Sequence, residues 1–163
     1  MKRRLILMRH AKSSWADAKG GDHARTLNPR GHRQAPRIGA LIREIGWQPD
    51  TVWASDARRC KDTLDHLSPF LDGAAITFLE TLYLVTATGL IERLRSLPEG
   101  AERVLVLGHN PGWSDAVTWL AGGAPVELKT AHAALLENDD PTWGEALGQP
   151  GRWRHVGTLT PDD

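Results

Sequence analysis

Two histidines leave two apolar runs in the same manner. Leu5-Ile6-Leu7-Met8 delivers Arg9-His10, and Val104-Leu105-Val106-Leu107 delivers Gly108-His109-Asn110-Pro111. A third segment, Thr51-Val52-Trp53-Ala54, ends at Ser55 and runs into Asp56-Ala57-Arg58-Arg59-Cys60-Lys61-Asp62-Thr63. Guanidinium groups are fixed forks of donors that match phosphate oxygens, and an imidazole acts as a nucleophile or, when protonated, stabilises negative charge. Two arginines and two histidines converging on one place describe a phosphate-dianion site built around a nucleophile.

That convergence depends on the elements carrying them. Short continuous apolar runs read as buried strands of a parallel sheet, and ligands of open α/β sheets bind beyond the carboxyl ends of the strands. A first strand, Arg4 to Met8, leads into a polar loop, Lys12 to Asn28, long enough to form one wall of a site. Asn28 caps a helix with Pro29 in its first turn, and Ala35, Ile38, Leu41, Ile42 and Ile45 form its apolar stripe up to Gly46. After Thr51 to Ala54, a helix from about Asp56 carries Cys60, Leu64, Leu67 and Leu71 and stops near Asp72-Gly73. A short strand, Ala75 to Leu79, leads to Glu80, followed by a helix from Gly89 to Leu97 that Pro98 stops. Next come the Val104 to Leu107 strand and a helix from Asp115 to Leu120. Late strands are expected over Val126 to Leu136 and Trp153 to Leu159, with a turn at Asp139-Asp140-Pro141 and a Gly/Pro-rich stretch, Gly144 to Gly151, between them. This alternation predicts an α/β fold with helices on both faces of a mostly parallel sheet.

The length of 163 residues fits one domain, residues 1–163, large enough to bury a core without staples. A formal net charge of zero argues against a nucleic-acid surface or a polybasic membrane anchor. One cysteine, Cys60, leaves no internal disulfide and no cysteine-based zinc site, as expected for a cytoplasmic protein. Met1-Lys2-Arg3-Arg4 is basic, but the apolar run after it ends at Met8, short of the roughly 7–15 residues of a signal-peptide core. No stretch approaches the roughly 18 apolar residues of a membrane span.

Four stretches, taken together, resemble the histidine phosphatase superfamily: Leu7-Met8-Arg9-His10-Ala11-Lys12-Ser13, then Asp22-His23-Ala24-Arg25-Thr26-Leu27 ending at Gly31, then Ser55 to Thr63, then Gly108-His109-Asn110-Pro111-Gly112. Within it they are similar to the small SixA-type phosphohistidine phosphatases. The likeness runs down to Leu159-Thr160-Pro161, with one departure, Ala11, where the wider superfamily usually has glycine. The resemblance implies a single three-layer α/β/α domain of phosphoglycerate mutase-like fold. It implies His10 as a nucleophile that forms a phosphohistidine intermediate, and Arg9, Arg59 and His109 as the phosphate pocket. It puts the proton donor at Glu80, with Asp22 as rival, and Asp22 and Arg25 either at the substrate or paired with each other to brace the loop. Lys12 and Ser13, just beyond His10, are further candidates for touching substrate.

Arg58 competes with Arg59, and only one can face the pocket, because adjacent helical residues point about 100° apart. Cys60 reads as a core residue of that helix. His23, His32, His66, His132 and His155 lack zinc-ligand spacing, so no metal or other cofactor is expected. Trp53 and Trp119 read as core; Trp15 and Trp113, flanking the two histidine motifs, are placed at the mouth. The resemblance implies phosphohistidine on a protein as substrate, and the segment from Thr63 to Arg103, shorter than the insertions that close over sugar phosphates in larger superfamily members, leaves a pocket open to it. The alternatives are a phosphatase of small phosphate esters and a non-catalytic phosphate-binding protein.

Overall fold

The computed structural model describes residues 2–16 and 19–161; residues 17 and 18 of the expected 12–28 loop lie outside the described residues. Six strands, β1 (Arg3–Arg9), β2 (Thr51–Ser55), β3 (Ala75–Leu79), β4 (Arg103–Gly108), β5 (Ala133–Asn138) and β6 (Arg154–Leu159), form one sheet in the order β3-β2-β4-β1-β5-β6. The pairs β1/β4, β2/β4 and β2/β3 are parallel, while β5 runs against both β1 and β6. The sheet is therefore mostly parallel.

Alternation along the apolar runs separates two cores. Leu5, Leu7, Val104 and Val106 pack with Leu90 and Leu94 of α3 (Ala87–Leu94), Trp113 and Val117 of α4 (Gly112–Ala121) and Trp143 of α5 (Trp143–Ala146). Ile6, Met8, Val52 and Leu105 pack on the other face with Ile38 and Ile42 of α1 (Pro29–Glu44) and Leu64 and Leu67 of α2 (Arg58–Leu67). Each fully buried Leu or Ile contributes about 1.5–3 kcal/mol, so the two clusters hold helices to both faces and make three layers. No helix among the described residues is long and apolar enough to cross a membrane.

Several boundaries differ from the sequence expectations. The helix after β2 starts at Arg58 and gives way after Leu67 to a 3-10 turn at Ser68–Phe70, where Pro69 lacks an N–H. Thr86 caps α3 by accepting from Gly89 N at 3.1 Å, so that helix begins before Gly89. The strand expected from Val126 begins only at Ala133. Over 126–132 the backbone is tied elsewhere: Val126 N and Leu128 N donate to Thr118 Oγ1 and Ser114 Oγ of α4, each at 2.9 Å. Ala131 then takes a left-handed φ of 62° and aims its N–H at the carbonyls of Arg9 and His10, 3.1 and 3.0 Å away. The segment is spent on fastening the end of β1.

Candidate active site

β1 and β4 are neighbours with Arg9 in register with Gly108, so the next residue of each strand reaches the same place. His10 N donates to Gly108 O at 3.0 Å, and the His10 and His109 rings lie 5.4 Å apart. Gly108 is required here: a Cβ on it would sit 2.2 Å from the Trp113 ring. Trp113 is fully buried behind the site, its indole N–H donating to Val106 O at 3.0 Å. The expectation that it lines the mouth is corrected, because α4 starts at Gly112 and turns this side chain into the core.

The tautomers follow from the partners. His10 Nδ1 lies 2.7 Å from Ala11 O, which can only accept, so Nδ1 carries the hydrogen and Nε2 keeps its lone pair. Arg59 Nε donates to that Nε2 at 3.3 Å, and Arg59 Nη2 donates to His109 Nδ1, also at 3.3 Å. His109 Nε2–H in turn faces Ser55 Oγ at 2.8 Å, at the carboxyl end of β2. Arg59, only 3% exposed, thus joins the two acceptor nitrogens. Arg58 points outward into an ion pair with Asp62 one turn on, at 2.8 Å. Thr63 locks the geometry: its hydroxyl donates to Arg59 O at 2.7 Å and accepts from Ala11 N at 3.1 Å.

Burial sets the protonation states. It drives His10 down to about 3, helped by His109, Arg59 and Arg9 and opposed by the Ala11 carbonyl. Burial, then Arg59, takes His109 to about 3 as well. Both imidazoles are therefore neutral at neutral pH, and the His10 Nε2 lone pair, held by Arg59 Nε, is free to attack once that N–H turns to a phosphoryl oxygen. Arg9 lines the same cleft and donates to Leu128 O at 3.2 Å, while its buried Nε has no protein acceptor among the described residues. Burial pushes its pKa down, an unfavourable state that an anion would relieve.

The cleft, about 300 Å³ in volume, takes its wall from the loop after β1, with Lys12, Ser13, Asp22 and Arg25 among its lining. Lys12 O presses on α1, where a Cβ on Gly31 would approach it to 2.0 Å. Arg25 donates to Asp22 Oδ1 at 2.9 Å, Ser13 Oγ at 2.5 Å and Ser14 O at 3.1 Å. Asp22 Oδ2 accepts from Arg59 Nη2 at 3.0 Å and from the Tyr83 hydroxyl. Desolvation would raise the Asp22 carboxyl, but the Tyr83, Arg25 and Arg59 hydrogen bonds outweigh it and hold the group well below the usual carboxylate range. Asp22 and Arg25 are thus paired within the loop and also joined to Arg59.

Glu80 is elsewhere. It opens the 3-10 turn after β3, is exposed, and lines a separate depression with His23, Asp56 and Tyr83. Of the remaining histidines, His23 pairs with Asp56 and His32 with His66, each at 2.8 Å. Among the described residues no three His, Cys, Asp or Glu side chains could together hold a metal ion. Cys60 is buried with its thiol pushed up to about 12, as befits a core residue.

Sequence reasoning gave no role to Tyr83, Leu84, Asn110 or Thr130, the last three of which line the cleft. Asn110 lay inside a quoted motif, and its amide joins two segments: it donates to Leu128 O at 2.6 Å and accepts from Ser114 Oγ at 2.7 Å. Tyr83, the sole tyrosine, carried no local signal beyond its rarity.

With this geometry in hand, comparisons with known proteins agree. The model of the histidine phosphatase superfamily (branch 1) matches residues 5–83. An uncharacterised chloroplastic protein of Arabidopsis thaliana is 36% identical over 172 residues, spanning 98% of this chain and 78% of that one. The crystal structure of a candidate SixA phosphohistidine phosphatase from Agrobacterium tumefaciens is similar at a TM-score of 0.80 and 25% identity over 98% of each chain. The fold also matches the protein histidine phosphatase SixA complexed with tungstate, at a TM-score of 0.81 and 21% identity over 97% of each. The chain belongs to the histidine phosphatase superfamily. Its fold is that of the SixA-type, phosphoglycerate mutase-like members, and it is a phosphatase.

Proposed function

We propose that this phosphatase removes phosphate from phosphohistidine carried on a protein, through a phosphohistidine intermediate on His10 and without a metal or other cofactor. The lone pair of His10 Nε2 forms the new P–N bond, while the electrons of the old P–N bond return to the substrate's ring nitrogen. Arg9 and Arg59 hold the phosphoryl oxygens as charge redistributes, and His109 joins them by taking up a proton on Nδ1 beside the dianion. Water then attacks phosphorus on His10, the electrons of the P–N bond return to His10 Nε2, and the water's proton passes to the released phosphate.

The observation that carries the substrate class is the state of Asp22. Asp22, the one carboxylate among the described residues that line the cleft, is held as an ion by two arginines and a tyrosine, so it is a poor proton donor. An ester's alkoxide needs such a donor, whereas phosphohistidine protonated on its other ring nitrogen leaves as neutral imidazole without one. The test is turnover, in the presence of EDTA, of a phosphohistidine protein against a panel of phosphomonoesters. A kcat/KM about tenfold or more higher on the phosphohistidine protein is expected. Faster hydrolysis of a small ester with no phosphohistidine turnover would move the assignment to a small-molecule phosphatase.

A further inference from the structure

The floor of the cleft is polar, but two large apolar side chains lie at it without being buried. Trp15, on the loop after β1, is 72% exposed, and Leu84, between the 3-10 turn after β3 and α3, is 53% exposed. The other exposed large apolar residues, Ile45, Ile76, Phe78 and Val156, line no part of this cleft.

Both side chains are held in place from behind. The Arg25 guanidinium lies 3.3 Å from the Trp15 ring centroid and is itself anchored by Ser13, Ser14 and Asp22. Leu84 has a left-handed φ of 51°, a conformation a leucine adopts only when its surroundings impose it. Those surroundings are Leu82, fully buried in the core, and Val85, whose carbonyl is so close to Gly112 that a Cβ there would approach it to 2.2 Å. A strained leucine left half in water gains nothing for the fold, and strain of this kind concentrates at ligand contacts.

We infer that Trp15 and Leu84 form a leaving-group subsite that receives the imidazole ring of a phosphohistidine presented on a protein, a reading that rests on the substrate class proposed above. The phosphoryl group is fixed on the cleft floor by Arg9, Arg59 and His109, so the group it departs from must emerge past the rim. A flat ring with carbon edges suits an indole face and a leucine. A small hydroxy acid, with a carboxylate and hydroxyl and no flat carbon face, would lose hydration against the same surface. Because both side chains are positioned before substrate arrives, little ordering cost falls on binding.

The experiment compares a phosphohistidine protein with phosphoramidate, which has the same P–N bond but departs as ammonia and cannot reach the rim. Wild type, Trp15→Ala, Leu84→Gly and the double variant are assayed on both, with the melting temperature followed as a check on folding. Glycine adopts a positive φ freely, so Leu84→Gly removes the side chain without disturbing the turn. The expected result is a fall of about tenfold or more in the ratio of kcat/KM on the protein to kcat/KM on phosphoramidate in the double variant. A ratio within twofold of wild type, with phosphohistidine turnover intact, overturns the rim assignment alone. A wild type that hydrolyses phosphomonoesters but not the phosphohistidine protein overturns the substrate class and the rim assignment together.

Discussion

The carboxyl end of β1 lies between β4 and β5, inside the sheet, whereas the carboxyl end of β3 lies at its edge. Each strand is followed at once by a titratable residue, His10 and Glu80. Elements close over the first end: the loop after β1, the 126–132 segment and α2 leave His10 only 7% exposed. At the second end Leu82 turns into the core while Glu80 itself stays in solvent. The same local pattern thus yields a desolvated imidazole at the centre and an exposed carboxylate at the margin. Covering protein on several sides, more than the strand end itself, prepares a group for chemistry.

Substitutions can break that contrast. His10→Ala should lower kcat by roughly 10⁴-fold or more with little change in melting temperature, since the ring lies beyond the strand end. A rate within tenfold of wild type would remove the central end of the sheet from the mechanism. Arg59→Ala should cost about 10²–10³-fold in kcat/KM, the scale of losing a preorganised charge-stabilising donor. Arg58→Ala, losing one exposed ion pair, should stay within about twofold. The reverse order would mean that the outward arginine is the one used.

The carboxylates sharpen the comparison. Asp22→Asn loosens Arg59, so a loss of about tenfold is expected on phosphohistidine and phosphomonoester substrates alike, whereas Glu80→Gln should stay within about threefold on both. A loss at Glu80 equal to that at Asp22, confined to esters, would restore Glu80 as proton donor.

The smallest effect is on stability. His10 and His109 titrate near 3 in the folded chain and near 6.5 when unfolded. Between those values the unfolded chain binds protons the folded chain refuses, so stability present above about pH 6.5 is lost as pH falls toward 3. His109→Gln should therefore lose less melting temperature than wild type between pH 7 and pH 5. Equal acid slopes would mean that His109 is not held neutral by burial.

How much of this was legible in the sequence depended on how local the cause was. The runs ending at Met8 and Leu107 announce buried strands by themselves, and parallel pairing then has to bring His10 and His109 together. Arg59 followed from the resemblance, whose pattern places its arginine there between Ser55 and Thr63, and helical rotation accounts for Arg58 pointing away. Trp113 was misplaced because a residue beside a motif can face either way, and the start of α4 decides which. The bond from Tyr83 to Asp22 joins the turn after an edge strand to the loop after a central one, a pairing that only the strand order creates. Val126 to His132 alternates as a strand would, but its donors at Val126, Leu128 and Ala131 are claimed by α4 and the end of β1. Leu84 gives no sign of its left-handed backbone, since that conformation is imposed by packing on either side.

The most direct test is to trap the phosphoryl group on the protein. Wild type mixed briefly with labelled phosphohistidine protein, quenched and mapped should carry alkali-stable, acid-labile phosphate on His10 Nε2, and His10→Ala should carry none. Turnover without such label at short times, or label that persists in His10→Ala, would contradict a neutral, buried His10 as the nucleophile.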